Sequence, residues 1–249
     1  MIAAGRAAGR GRGGAAGAWG VAAWRGRDGV MGVADAGGMI RAITPALLVE
    51  EVAGRLAAER VGERLRVAVD GAPAAGPDAL AAALVDPLRA RGRPAIHVPA
   101  GGFLRAASLR YEFGRDNPDS FYAGWLDEAG LRREVLDPVG PGGSGRVLPS
   151  LWDAVTDRAT RAGYVTAPAA AVVLVSGQLL LGGGLPFDVS VHLVMSAAAL
   201  DRRTAADQRW TLPAYARYEA EVAPATFADV VVRVDDPRHP ALVETGGRG

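Results

Sequence analysis

The chain has no lysine: all 28 basic side chains are arginine. Arginine stays protonated and forks around phosphates and carboxylates, but it forms no Schiff base. Imine chemistry on a lysine is therefore excluded, and so is any phosphate loop that ends in lysine. Cysteine is absent too, which removes disulfides and thiolate metal sites. It fits a reducing compartment, and the expectation is a cytoplasmic protein. The longest apolar run, Ala169 to Val175, is far short of a membrane span. A net charge of +1 gives no bulk attraction to nucleic acid or membrane, so neither is expected as a partner.

About half of the 249 residues are apolar, enough for a sizeable core. Residues 1–38 stand apart. They hold 12 of the 34 glycines, and five arginines against two aspartates. They have no apolar period, so the expectation is a disordered extension. A basic nucleic-acid arm would need denser arginines with aromatics between them. An upstream extension before a start at Met39 is the favoured reading. Residues 39–243 are then one domain and 244–249 a flexible tail.

Thr44-Pro45 is an N-cap followed by proline at the first helical position. Leu48, Val52 and Leu56 continue that helix to about Arg60. Leu65 to Val69 reads as the first strand. The loop Asp70 to Pro77 leads into a helix capped by Asp78, bent at Pro87 and ended by Gly92. Pro94 to Val98 is the second strand, and Pro99 to Ser120 is loop-rich. A helix follows over Glu128 to Leu136, then a glycine-rich turn and a hairpin within Arg146 to Thr166. Ala171 to Val175 and Asp188 to Val194 read as buried parallel strands. Helices over Ala197 to Arg203 and Leu212 to Val222 precede a last strand, Asp229 to Val234. Alternating strands and helices predict a doubly wound, mostly parallel α/β sheet.

Ligands of such sheets sit beyond the C-terminal ends of the strands. The first of those loops, Gly71-Ala72-Pro73-Ala74-Ala75-Gly76, has the G-x-x-x-x-G spacing of a phosphate loop. Pro77 and Asp78 stand where lysine and serine or threonine would follow. Further motifs are collinear along the chain: Arg66 to Gly71 (RVAVDG), Arg91 to Pro94 (RGRP), Gly102-Phe103, Arg110-Tyr111, Gly114-Arg115-Asp116, Pro118, Phe121-Tyr122, Val135 to Gly143, and Ala228 to Val232 with Asp235-Asp236-Pro237. In these the chain resembles uridine kinase-like P-loop nucleoside kinases of the actinobacterial type, over about residues 44–242.

The resemblance implies phosphoryl transfer from ATP-magnesium to a nucleoside hydroxyl. It also marks departures. The loop lysine is Pro77, the magnesium-binding hydroxyl is Asp78, the general base falls at Gly101 or Gly102, and the acid ending the 171–175 strand is Ser176. Proline removes a cation and an N–H donor. An ionised Asp78 at 4 Å from a phosphate oxygen costs roughly 4 kcal/mol at an effective dielectric near 20. Asp78 or Asp70 holding magnesium would reverse that sign, and Asp70 is the stand-in candidate. The acceptor side, Phe103, Arg105, Arg110, Tyr111, Arg115 and Tyr122, falls where the family holds its nucleoside, since aromatics stack bases and arginines bind phosphates. The same residues could equally anchor loops. Arg202 and Arg203 correspond to a lid, or to a solvated helix end. Ser144 and Ser176 lack a nucleophile elbow and a visible histidine, and three scattered histidines give no metal spacing. Three readings follow: a nucleoside kinase, a nucleoside- or nucleotide-binding protein without catalysis, and a scaffold without ligand.

Overall fold

The computed structural model describes residues 39–244, so the expected extension over 1–38 and all but the first residue of the expected tail lie outside the described residues. The elements run β1 (Met39–Ala42), α1 (Pro45–Ala58), β2 (Leu65–Gly71), α2 (Pro77–Ala90), β3 (Ala95–Pro99), α3 (Ala107–Arg110), α4 (Pro118–Gly124), α5 (Glu128–Leu131), α6 (Asp137–Val139), β4 (Arg146–Val147), β5 (Trp152–Asp153), β6 (Arg158–Ala159), β7 (Val165–Thr166), β8 (Val172–Gly177), β9 (Val189–Val194), α7 (Ala197–Arg203), α8 (Leu212–Glu221), β10 (Val230–Arg233) and β11 (Ala241–Glu244).

The central sheet has the order β1-β11-β10-β9-β2-β8-β3. The five strands from β10 to β3 are parallel, and β11 and β1 close one edge antiparallel. Strands buried on both faces read as continuous apolar runs, which is why β2, β8 and β9 were legible. On one face, Leu48, Val52 and Leu56 of α1 and Leu80, Leu84 and Leu88 of α2 pack on Val67, Val69, Leu174 and Val191. On the other, Leu131, Val135 and Leu136 cover Val98, Val173 and Val175, and Tyr218 of α8 covers Ala68 and Val231. The fold is the expected doubly wound α/β architecture.

Local signals explain the element starts. Thr44 accepts from Leu47 N at the head of α1, and Asn117 accepts from Asp119 N and Ser120 N before Pro118 opens α4. Arg93 of the RGRP motif is buried. It donates to the carbonyls of Ala57, Glu59, Glu63 and Ala170, tying the end of α1 to the lead-in of β8. Several expectations need correction. Asp78 does not cap α2: Gly76 is the N-cap, Pro77 the first helical residue, and Asp78 lies in the first turn. The helix passes through Pro87 to Ala90. The strand over 229–234 is not the last, because β11 follows a turn over Asp236 to His239 and pairs with β1. The loop-rich middle holds α3 and α4. The expected hairpin is two nested antiparallel ladders, β4 with β7 and β5 with β6.

Candidate functional site

A cleft of about 250 Å³ opens at the C-terminal ends of β2, β3 and β8. Its walls come from the phosphate-loop position (Gly71, Gly76, Pro77, Asp78), the tip of β3 (Ala100, Gly101), α4 and its exit (Phe121, Tyr122, Trp125), Glu128, and the segment after β8 (Gln178, Leu179). This is where open α/β sheets bind ligands.

The loop takes a specific form. A β-carbon on Gly71 would lie 2.9 Å from the Leu193 carbonyl oxygen, so only glycine lets β2 run this close beside β9. Pro73 to Ala75 form one 3₁₀ turn, with Ala75 N donating to Ala72 O and Gly76 N to Pro73 O. Gly76, at φ 80°, then turns the chain into α2 through the left-handed region that glycine enters without strain. Of the six residues from Ala72 to Pro77, two are prolines without N–H and two more amides bind the loop itself. A phosphate cradle needs consecutive free amides aimed at one point, and here the prolines and the internal turn leave at most those of Ala72 and Ala74, which are not consecutive.

Ser176, fully buried at the end of β8, donates a short hydrogen bond to Asp78 Oδ1, and His97 Nε2 lies 2.7 Å from the same hydroxyl. With the hydroxyl proton on Asp78, the imidazole supplies Nε2–H. Burial lowers the His97 pKa, against the pull of Asp78, which keeps the ring neutral. Ser176 therefore does have a histidine neighbour. It is not poised as a nucleophile, because its proton is directed to a carboxylate and its side chain is closed to solvent.

The opposite side of the cleft rests on a second buried network. Asp70 is fully buried and accepts from Leu180 N at 2.9 Å, Tyr218 OH at 3.0 Å and His192 Nδ1 at 2.8 Å. Leu181 N donates to Tyr218 OH. Together they pin the segment containing Leu179, a cleft residue held at φ 57°, a strained conformation for a branched side chain. His192 loses stability as a cation through desolvation but gains more from Asp70 and Glu219, and its pKa is raised to about 9. Its Nε2 lies 3.6 Å from Glu219 Oε1, too long for a hydrogen bond and close enough for charge attraction.

The acceptor-side candidates are divided. Tyr122 lines the cleft, and its hydroxyl donates to Glu221 while Arg217 lies 4.4 Å from its ring centroid. Phe103 is fully buried in the core beneath β3 and β8. Arg110 is buried, donates to Arg105 O, Tyr111 OH and Ala154 O, and lies over the Tyr111 and Trp125 rings. Arg115 lies over Tyr111, and the Arg105 side chain is exposed. Arg202 and Arg203 are in the last turn of α7, with Arg203 donating to Val234 O. None of these arginines lines the cleft. The sequence reading passed over the cluster of Phe121, Trp125, Trp210 and Tyr215, whose rings meet edge-on at 5.1 to 5.8 Å around Phe121. The i, i+4 spacing of Phe121 and Trp125 was its available signal. Among the described residues no group of three His, Asp or Glu could hold a metal ion, and no helix is long and apolar enough to cross a membrane.

No family model matches the chain, and no curated protein matches it. Solved structures do. One described as a possible uridine kinase from Bacillus stearothermophilus superposes with a TM-score of 0.60 at 19% identity, covering 74% of this chain and 96% of its own. The YGR205w protein superposes at 0.52 with 10% identity, covering 80% and 97%. A D-glycerate 3-kinase from Cryptococcus neoformans gives 0.44 at 16% identity, too low to carry an argument. At these identities the likeness is one of fold: a P-loop kinase-like α/β domain.

Proposed function

We propose that this protein binds a nucleoside-like small molecule in the cleft and does not transfer phosphate. The observation that carries the reading is the closed loop: amides that would face a triphosphate bond to Ala72 and Pro73 carbonyls instead. A helix N-terminus attracts an anion through its dipole. In α2 that place belongs to the protein's own Asp78. Pro77 and Asp78 are good helix starters, so the residues that spoil a phosphate site stabilise the helix behind it. The side chains present do not fit ATP-magnesium. Among the described residues no cation lines the cleft, and the hydroxyl at Ser176 is given over to Asp78.

What remains suits a flat apolar ligand. Phe121, Tyr122 and Trp125 supply ring surface, and Gln178 and the Asp78 carboxylate supply polar contacts. Calorimetry with uridine and with ATP-magnesium tests the reading. Uridine should bind at micromolar to low-millimolar levels and Tyr122→Ala should weaken it, while ATP-magnesium shows no heat. Micromolar affinity for ATP-magnesium, or hydrolysis of its γ-phosphate, would overturn the proposal.

A further inference from the structure

We infer that the cleft selects its ligand by charge, taking flat organic cations or amino-bearing rings and rejecting their anionic counterparts. The inference rests on the reading that this cleft is the ligand site, and it sets the class of ligand that the site admits.

Among the described residues seventeen line the cleft, and the charged ones are Asp78 and Glu128; no arginine or histidine is among them. Neither carboxylate has an ion-pair partner among the described residues. One oxygen of Asp78 is held by Ser176, which fixes the group at the mouth of the former phosphate site. Phe121, Tyr122 and Trp125 line the same cleft, and ring faces attract cations. The guanidiniums that lie over its rings do not line the cleft and are already matched. Arg217, over Tyr122, pairs with Asp119 and Glu221. Arg110, beside Trp125, is 3.9 Å from Asp157 and donates to backbone carbonyls. Gln178 is committed through its carbonyl oxygen to Tyr215 OH, leaving its amide N–H groups as the one side-chain donor not committed to a partner on that wall. A ligand carrying its own N–H donors or positive charge therefore meets acceptors, whereas a carboxylate or phosphate meets like charge.

Two planar probes of similar shape and opposite charge separate this from simple apolar filling: benzamidinium and benzoate, titrated by calorimetry at low salt against the whole protein. Benzamidinium should bind about tenfold or more tightly than benzoate, because two partly exposed carboxylates act on it. Asp78→Asn and Glu128→Gln should each weaken benzamidinium by about two- to fivefold, and the double variant should bind both probes alike. Asparagine keeps an oxygen to accept from Ser176, and unchanged melting curves would certify each variant as folded. Equal or tighter binding of benzoate, no binding of benzamidinium, or a preference that survives in the double variant would overturn the inference. If benzamidinium binds with the stated preference while uridine gives no heat, the nucleoside reading falls and the charge rule stands.

Discussion

Arg93 was singled out in the sequence only as part of a motif. In the fold it is a buried cation with no carboxylate partner, held by the carbonyls of Ala57, Glu59, Glu63 and Ala170. Desolvation lowers its pKa, yet hydrogen bonds from a charged donor contribute about 1.5–3 kcal/mol each before that cost. Arg93→Met keeps the apolar stem and removes the donors, leaving carbonyls at the end of α1 without partners. We expect a loss of about 2–4 kcal/mol in chemical denaturation. Arg132→Met, at an exposed pair with Asp137, should stay within about 0.5 kcal/mol. Equal effects of the two would show that Arg93 is no anchor.

The elements of the central sheet were legible because parallel strands are apolar throughout and their helices carry a four-residue period. The antiparallel edge was not. β1 and β11 are four residues each and mix polar and apolar side chains; β1 is a strand only because it pairs with β11 across some 200 residues of sequence, and β11 in turn lies between β1 and β10. The G-x-x-x-x-G spacing pointed to the loop that lines the cleft, whereas the internal bonding of that loop was not legible. In the sequence only the side chains at Pro77 and Asp78 could be compared with a phosphate-loop pattern, whereas the 3₁₀ turn over Pro73 to Ala75 is a property of the backbone. A partner 79 residues away, His97, could not be assigned to Ser176 before β3 and β8 were known to be neighbours. The loop geometry carries a prediction. Pro77→Lys with Asp78→Thr introduces a cation and a hydroxyl but does not free the amides. Affinity for ATP-magnesium should stay below detection by calorimetry, and adding Pro73→Gly, which frees the turn, should bring it into the millimolar range. Strong binding by the double variant alone would mean that the turn opens readily.

At the scale of the whole molecule, two buried charge systems tie the sheet to its flanks and set opposite pH limits. Asp188 is nearly closed to solvent. Burial pushes its carboxyl up, but hydrogen bonds from the Arg66 side chain and backbone, with Arg60 nearby, hold it below the usual range. A carboxyl depressed in the fold adds stability above its unfolded pKa near 3.9, and that stability is lost as pH falls through the folded value. His192 works in the other direction. Its folded pKa of about 9 lies above the unfolded value near 6.5. Its contribution is therefore complete below about pH 6.5 and drains away as pH rises through about 9. Asp70, Glu219 and Tyr218 are the ionisable groups that face it. Burial raises the Tyr215 and Tyr218 hydroxyls well above the ordinary range. They resist ionisation in the fold and would steepen any loss above about pH 10, so the window that isolates the histidine ends near pH 9.5. Urea midpoints measured from pH 5.5 to 9.5 should be highest below about pH 6.5 and decline on the alkaline side. His192→Gln should lower the plateau near pH 6 and flatten that decline, because it removes the proton that the fold holds more tightly than the unfolded chain does. A wild-type midpoint unchanged between pH 7 and 9.5, or an equal alkaline slope in the variant, would refute the assignment of the charge to His192.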